Sequence, residues 1–408
     1  MQTIKNIYVI GPGPSSSHTI GPCNATKDFI SRLRKNNIKF DNIRVVLYGS
    51  LALTGKGHLT DKIIIDTFHE FGIENAFIDF NFTVKNLKHP NTIDFVAYKN
   101  DEDVFNVVYY SVGGGEITTS LLRNREVDNT YNFSNFNEIK NYMKEHKITD
   151  LVDLVNRFED KNIDNFLANI LEKMFTCVEE GLQKSGDLPG KLSLKRVAKK
   201  IFEEALTLDS CSEQKLMLVT SFAYAVAEEN ASGSIIVTAP TCGSSGVLPS
   251  ILYYEYKYGE SSKTQLINAL KVAGLFGTII RQNASISGAV LGCQAEIGTA
   301  SVMAACALSY LHGLSLYQIE YAGEVAMEHF LGLTCDPVKG YVQIPCIERN
   351  GIGAARSYTS YLYAKNIAKL RINKVSFDDV VLTMKNTGES LSSDYKETSE
   401  GGLARVVK

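Results

Sequence analysis

Apolar and polar residues alternate over four runs in the first third of the chain: NIRVVLYGS at 42–50, NAFIDFNFTV at 75–84, TIDFVAYKN at 92–100 and VFNVVYYSV at 104–112. A two-residue period rich in Val, Ile, Phe and Tyr predicts β-strands. With a few helical segments between them, residues 1–135 are read as an α/β (α+β) domain. From NFNEIKNYMKEH at 135–146 onward the period lengthens. QLINALKVAGLFGTII, EIGTASVMAACALSYLH and LYQIEYAGEVAMEHFLG carry apolar residues three and four apart, and the last is expected to stop at Gly332. The predicted fold class is multidomain, α and β, with an N-terminal α/β (α+β) domain followed by a mostly α-helical domain over 149–408. The polar, charge-rich stretch from about 120 to 148 marks the join, and 136–148 is assigned as linker. No internal repeat or low-complexity tract interrupts this division.

Composition narrows the class. A chain of 408 residues, 44% apolar and 21% charged, has enough apolar surface for two cores and is not disordered. A net charge of −3 gives no reason to expect nucleic acid or an anionic membrane. MQTIKNIYVIGPG holds too short an apolar run for a signal peptide, and no window reaches membrane-spanning length, so a cytoplasmic location is expected. Eight cysteines are too dilute for a disulfide scaffold and read as reduced thiols.

Three of those cysteines sit in small-residue, turn-rich settings: Cys293 in GCQAE, Cys335 in LTCDP and Cys346 in IPCIERN. Three thiolates suit an iron-sulfur cluster that keeps one iron open, yet the spacings of 42 and 11 positions leave any gathering to the fold. The alternative is that they are buried thiols acting as small hydrophobes. Near the other end, GPGPSSSHTIGP at 11–22 places Ser15, Ser16, Ser17, His18 and Thr19 on one short loop, and YGSLALTGKGHLTD at 48–61 carries His58. Hydroxyls and backbone amides can hold a carboxylate, and a histidine can move a proton near neutral pH. Equally, Ser17 or Thr19 can simply cap the helix that begins near Cys23.

These two ends, with HPNT at 89–92, YSVGGG at 110–115, LPGKLSLKR at 188–196, EENASGSIIVTAPTCGSSGVLPS at 228–250, SISGAVLGCQAEIGTASVMAAC at 285–306, MEHFLGLTCDPVKGYVQIPCIERN at 327–350 and KETSEGGLA at 396–404, resemble one known family. It is the iron-sulfur-dependent L-serine dehydratases, or L-serine ammonia-lyases, in the single-chain form with the beta domain before the alpha domain. The resemblance spans nearly the whole chain in the family's order. It implies dehydration of L-serine to aminoacrylate and on to pyruvate and ammonia, a 4Fe-4S cluster on Cys293, Cys335 and Cys346, and a homodimer. It implies His58 as the base that removes the Cα proton, His18 as its orienting partner, and Ser15, Ser16, Ser17 and Thr19 as holders of the substrate's carboxylate or amine. The loop Cys242, Gly243, Ser244, Ser245 and Gly246 would add backbone amides for a carboxylate.

Two departures qualify the likeness. Many family members carry asparagine where this chain has Cys242, which is therefore read as lining the site and not as a ligand. Some single-chain members end in a cysteine that caps the fourth iron; here Lys408 is last, which implies a more open and more oxygen-sensitive resting cluster. Arg196 is a further candidate for carboxylate pairing, the alternative being an ordinary helix arginine. His329 is read as a satisfied helical histidine, and Cys23, Cys177, Cys211 and Cys306 as structural thiols. The same architecture acting on L-threonine or L-cysteine, a non-catalytic amino-acid sensor, and a pyridoxal-phosphate enzyme are the rival readings.

Overall fold

The computed structural model describes residues 1–54, 56–84, 86–120 and 129–407. Its seven strands are β1 (Ile10–Pro12), β2 (Asn42–Gly49), β3 (Ala76–Asn81), β4 (Asn91–Lys99), β5 (Glu102–Gly113), β6 (Glu116–Thr119) and β7 (Ile235–Val237). Strands β2 to β6 form one sheet in the order β3-β2-β4-β5-β6. The β2–β3 pair is parallel, because a helical crossover through Thr60–Glu70 returns the chain to the same end, and the others are antiparallel. The four runs read as strands from their alternation are β2, β3, β4 and β5, within two residues at most termini.

One face of this sheet is covered by the helices Ile20–Lys35 and Thr60–Glu70. Phe95 stands at the centre, with ring centroids of Phe29, Phe68 and Tyr109 at 5.1, 6.2 and 5.4 Å. Such aromatic pairs add roughly 0.5–1.5 kcal/mol each beyond the area they bury. The sheet domain thereby holds its helices, and so the loops that lead into them, in fixed positions.

The rest is helical. At its centre lies Thr299–Leu311, whose residues from Thr299 through Ser309 are all buried. A helix apolar or small all round has neighbours all round. Gly323 of the adjacent helix shows how closely they approach: a Cβ there would sit 2.9 Å from Cys306 Sγ. Helices Lys263–Asn283 and Leu316–Glu328 correspond to two more predicted segments, the latter ending at Glu328 with a turn to Gly332, which takes φ +82°.

Two boundaries differ from the sequence-based division. Residues 136–148, assigned as linker, contain the helix Phe136–Glu145, whose Phe136, Ile139 and Met143 are buried in the helical core because they recur three and four apart. The N-terminus also belongs there: Met1, Ile4, Ile7 and Tyr8 join that core, and β1 pairs antiparallel with β7. The chain thus starts in the helical body and crosses into the sheet domain through the loop that carries His18. No helix among the described residues is long and apolar enough to cross a membrane. The expectation attached to Lys408 lies outside the described residues.

Candidate active site

The loop Gly13–Thr19 is pinned from the helical side. Asn230 Nδ2 donates to Pro14 O at 2.8 Å, and a Cβ on Gly13 would lie 2.2 Å from Asn230 O, so only glycine permits this approach. Within the loop, Ser15 O accepts from the amides of His18 and Thr19 and from Thr19 Oγ1. Thr19 occupies the N-cap of Ile20–Lys35 without a side-chain cap bond; its hydroxyl proton closes the loop and is not free for a substrate. His58 follows on a turn docked against the helical body, where a Cβ on Gly57 would meet Gly340 O at 2.3 Å.

His18 and His58 meet with ring centroids 4.3 Å apart, and both are buried. The surrounding hydroxyls fix their protons. Ser50 Oγ donates to Glu397 O at 2.7 Å and Thr54 Oγ1 to Ser50 O at 2.8 Å, so both can only accept from His18 Nε2, at 3.1 and 2.9 Å. His18 Nε2 therefore carries the proton, and Nδ1 accepts from Ser17 Oγ at 2.9 Å, while the Ser15 hydroxyl beside it donates to Glu397 Oε1. Burial pulls the His18 pKa down to about 4, which keeps it neutral. His58 is wired the opposite way: Nδ1–H donates to Thr54 O at 3.2 Å, leaving Nε2 as its basic nitrogen.

The third member of this group was not anticipated. Glu397, buried, places Oε1 at 3.6 Å from His18 Nδ1, 3.5 Å from His58 Nε2 and 3.3 Å from Ser15 Oγ. Burial opposes its charge, but attraction to a protonated imidazole, His18 or His58, and the bond from Ser15 outweigh that and draw its pKa below the usual carboxylate value. Its backbone ties it to Cys335, since Cys335 N donates to Tyr395 O and Glu397 N to Cys335 O, both at 2.8 Å. Ser399 Oγ and Leu403 N secure the far side of this strap on Pro337 O and Asp336 Oδ2.

The strap runs alongside the three predicted cysteines, which the fold gathers. Cys293, Cys335 and Cys346 thiols are all desolvated, Cys293 bonds to Cys335, and Arg349 lies against them. The bond from Cys335, reinforced by Arg349, brings the Cys293 pKa down to about 7 despite burial, whereas those of Cys335 and Cys346 are pushed up. Arg349 stays charged against its own burial because these thiols and Asp336, at 2.9 Å, surround it. Beside them Glu296, on a π-helical turn Gln294–Gly298, accepts from Thr241 Oγ1 at 2.7 Å and lies 3.8 Å from Cys335 Sγ. Burial, then Glu397 and Cys293, raise its pKa.

The other sequence candidates divide. Cys242 is buried, bonded by Ser16 and close to both Glu296 and Glu397. In the loop that follows, the amides of Ser245 and Gly246 are taken by Cys242 O and Asn350 Oδ1, which removes two donors from the expected anion nest. Ser245 Oγ is buried with no partner. Arg196 is bound to Glu229 at 2.6 Å and to Ser232 Oγ, a structural pairing and not a substrate contact. His329 caps its helix, bonding Val325 O at 2.8 Å. Two surface hollows, of about 580 Å³ beside Glu172 and about 660 Å³ beside Glu324, share no residue with this cluster.

The model described as serine dehydratase alpha chain matches residues 98–404, and that described as serine dehydratase beta chain matches residues 3–79. The chain belongs to the serine dehydratase family. It is 37% identical to L-serine dehydratase 2 of Escherichia coli (strain K12), over 100% of this chain and 99% of the relative. It is 38% identical to L-serine dehydratase TdcG of the same strain, covering 98% of each. To the L-serine dehydratase of Helicobacter pylori (strain ATCC 700392 / 26695) it is 36% identical, over 100% and 99%. In serine dehydratase terms, the histidines come from the beta part and the cysteines and Glu397 from the alpha part.

The electrostatics carry a stability consequence. His18 is neutral when folded but titrates near 6.5 when unfolded, so below that value the unfolded chain binds the extra proton. Stability is therefore expected to fall as pH drops from 6.5 toward 4, by about 2 kcal/mol at pH 5, and Glu397 adds loss in the same direction lower down. Denaturant melts at pH 7 and pH 5 check this: His18→Asn should flatten the difference, and an unchanged slope would contradict the assignment.

Proposed function

We propose that the protein is an L-serine ammonia-lyase that converts L-serine to pyruvate and ammonia. The observation that supports this best is the double attachment of Glu397, with its backbone on Cys335 and its carboxylate on the histidine pair. It joins a proton-moving group to a buried cysteine trio.

The donor set suits a 4Fe-4S cluster. Three thiols share one desolvated space, an arginine offsets their negative charge, and Gly288 leaves room where a Cβ would lie 3.1 Å from Cys335 Sγ. Cys293, Cys335 and Cys346 would hold such a cluster, which would supply Lewis acidity toward the β-hydroxyl.

The chain's own residues do the rest. His58 Nε2 takes the Cα proton, its ring held by the Nδ1–H bond to Thr54 O. The C–H electron pair becomes the Cα–Cβ double bond as the Cβ–O bond breaks, and the oxygen leaves with that bond's electron pair as hydroxide, which becomes water with the proton that His58 took. Glu397 steadies the imidazolium at 3.5 Å, and neutral His18 spaces it. Ser15, Ser16, Ser17, Ser245 and the Gly243–Ser244 backbone bind the zwitterion. Aminoacrylate then tautomerises to the imine and hydrolyses. A homodimer in the cytoplasm completes the proposal.

Anaerobic iron and sulfide analysis, with pyruvate formation measured on serine, threonine and cysteine side by side, tests this reading. Iron and sulfide together with a preference for serine are expected. Metal-stripped protein that deaminates serine as fast as reconstituted protein would end it, and a preference for threonine or cysteine would reassign the substrate.

A further inference from the structure

His18, His58 and Glu397 come from three separate segments, yet their donor atoms all lie within 4.8 Å of one another. Glu397 Oε1 is 3.6 Å from His18 Nδ1 and 3.5 Å from His58 Nε2. A tetrahedral zinc with bonds of about 2.0–2.1 Å needs donors roughly 3.3–3.4 Å apart, and the two carboxylate–nitrogen separations match this to within a few tenths of an ångström. Two imidazoles and one carboxylate form a donor set for divalent transition metals.

The distal nitrogens supply the second, independent observation. His18 Nε2–H is spent on Ser50 and Thr54 hydroxyls, and His58 Nδ1–H on Thr54 O. Metal-binding histidines are characteristically held this way, with the outer nitrogen donating to oxygen and the inner lone pair presented to the ion. Ser17 Oγ, which donates to His18 Nδ1 at 2.9 Å, must turn aside when that nitrogen takes a metal.

We infer that His18, His58 and Glu397 form an inhibitory zinc site, distinct from the cysteine trio, in which the ion occupies the nitrogen that otherwise removes the substrate's proton. The inhibitory half rests on His58 being the base, as proposed above; the binding half does not. Zinc at this position competes with L-serine for the pocket, and a chelator reverses it.

Equilibrium dialysis of Zn²⁺ against the iron-loaded full chain, with far-UV circular dichroism on every variant, tests the inference. One zinc is expected in addition to the iron, displaced by L-serine. Glu397→Gln and His58→Asn should each weaken it by more than the roughly 10- to 100-fold that loss of an outer partner costs. Ser17→Ala should bind zinc at least as tightly as the unaltered chain, and Cys335→Ser should retain it. Absence of this zinc, or zinc that survives Glu397→Gln and disappears in Cys335→Ser, overturns the site. Zinc bound as described but indifferent to serine supports the site and counts against the serine reading, so the two fail separately.

Discussion

His58→Asn is expected to lower kcat for serine deamination by roughly 100- to 10,000-fold, the usual contribution of a positioned general base, with KM changing far less. Asparagine is the informative replacement because its side-chain amide can keep the donor bond that Nδ1–H makes to Thr54 O, so the turn stays docked. What is lost is the Nε2 lone pair beside Glu397. His18→Asn should cost less, since the His18 Nδ1 lone pair already accepts from Ser17 and burial holds its pKa at about 4. Steady-state kinetics of both variants, at equal iron content, separate the roles. If His58→Asn turns over within tenfold of the unaltered enzyme, or if His18→Asn is the more damaging change, the base has been assigned to the wrong ring.

Cys335→Ser should lose iron and activity together while remaining folded. The links from residue 335 to the strap run through its backbone amide and carbonyl, which serine preserves. The hydroxyl is a poor replacement for a thiolate as a ligand of iron-sulfur centres. Cys306→Ser is the matched control: that thiol is equally buried but bonds Ile319 O inside the helical core, so it should cost stability without touching iron. Iron analysis beside a thermal melt reads both. Full iron in Cys335→Ser, or iron loss in Cys306→Ser, would remove the proposed ligand set.

Strands β2 to β5 were legible because one half-buried face imposes a period of two, and the long helices because a buried stripe imposes 3.6. The three-residue strands β1 and β7 have no period to read, and their pairing, Ile10 with Val237, joins segments too distant along the chain to foresee. The helix Phe136–Glu145 was obscured by its polar outer face. Among site residues, the cysteines and histidines stood out by type. Glu296 had a readable signal, a lone acid in the apolar and small run CQAEIGTASVMAAC. Glu397 stood only within the family-like segment KETSEGGLA, with nothing to single it out: it sits in a polar, charged tail 51 positions beyond Cys346, and pairing with Cys335 and Ser50 brings it inward. Arg196, a candidate weighed against an ordinary helix arginine, is held by Glu229, a partner 33 positions away that its local sequence does not announce.

Because Glu397 reaches across from one half to complete the other, the seam between the halves runs through the chemistry itself. Grafting the portion before β4 from a distant cousin would have to match three surfaces at once: the bed for Gly13 on Asn230, the seat of Gly57 on Gly340, and the grip of Ser50 on the strap. Hybrids that honour all three should inherit catalysis as a unit, and hybrids that miss one should fold as two sound modules with no reaction between them.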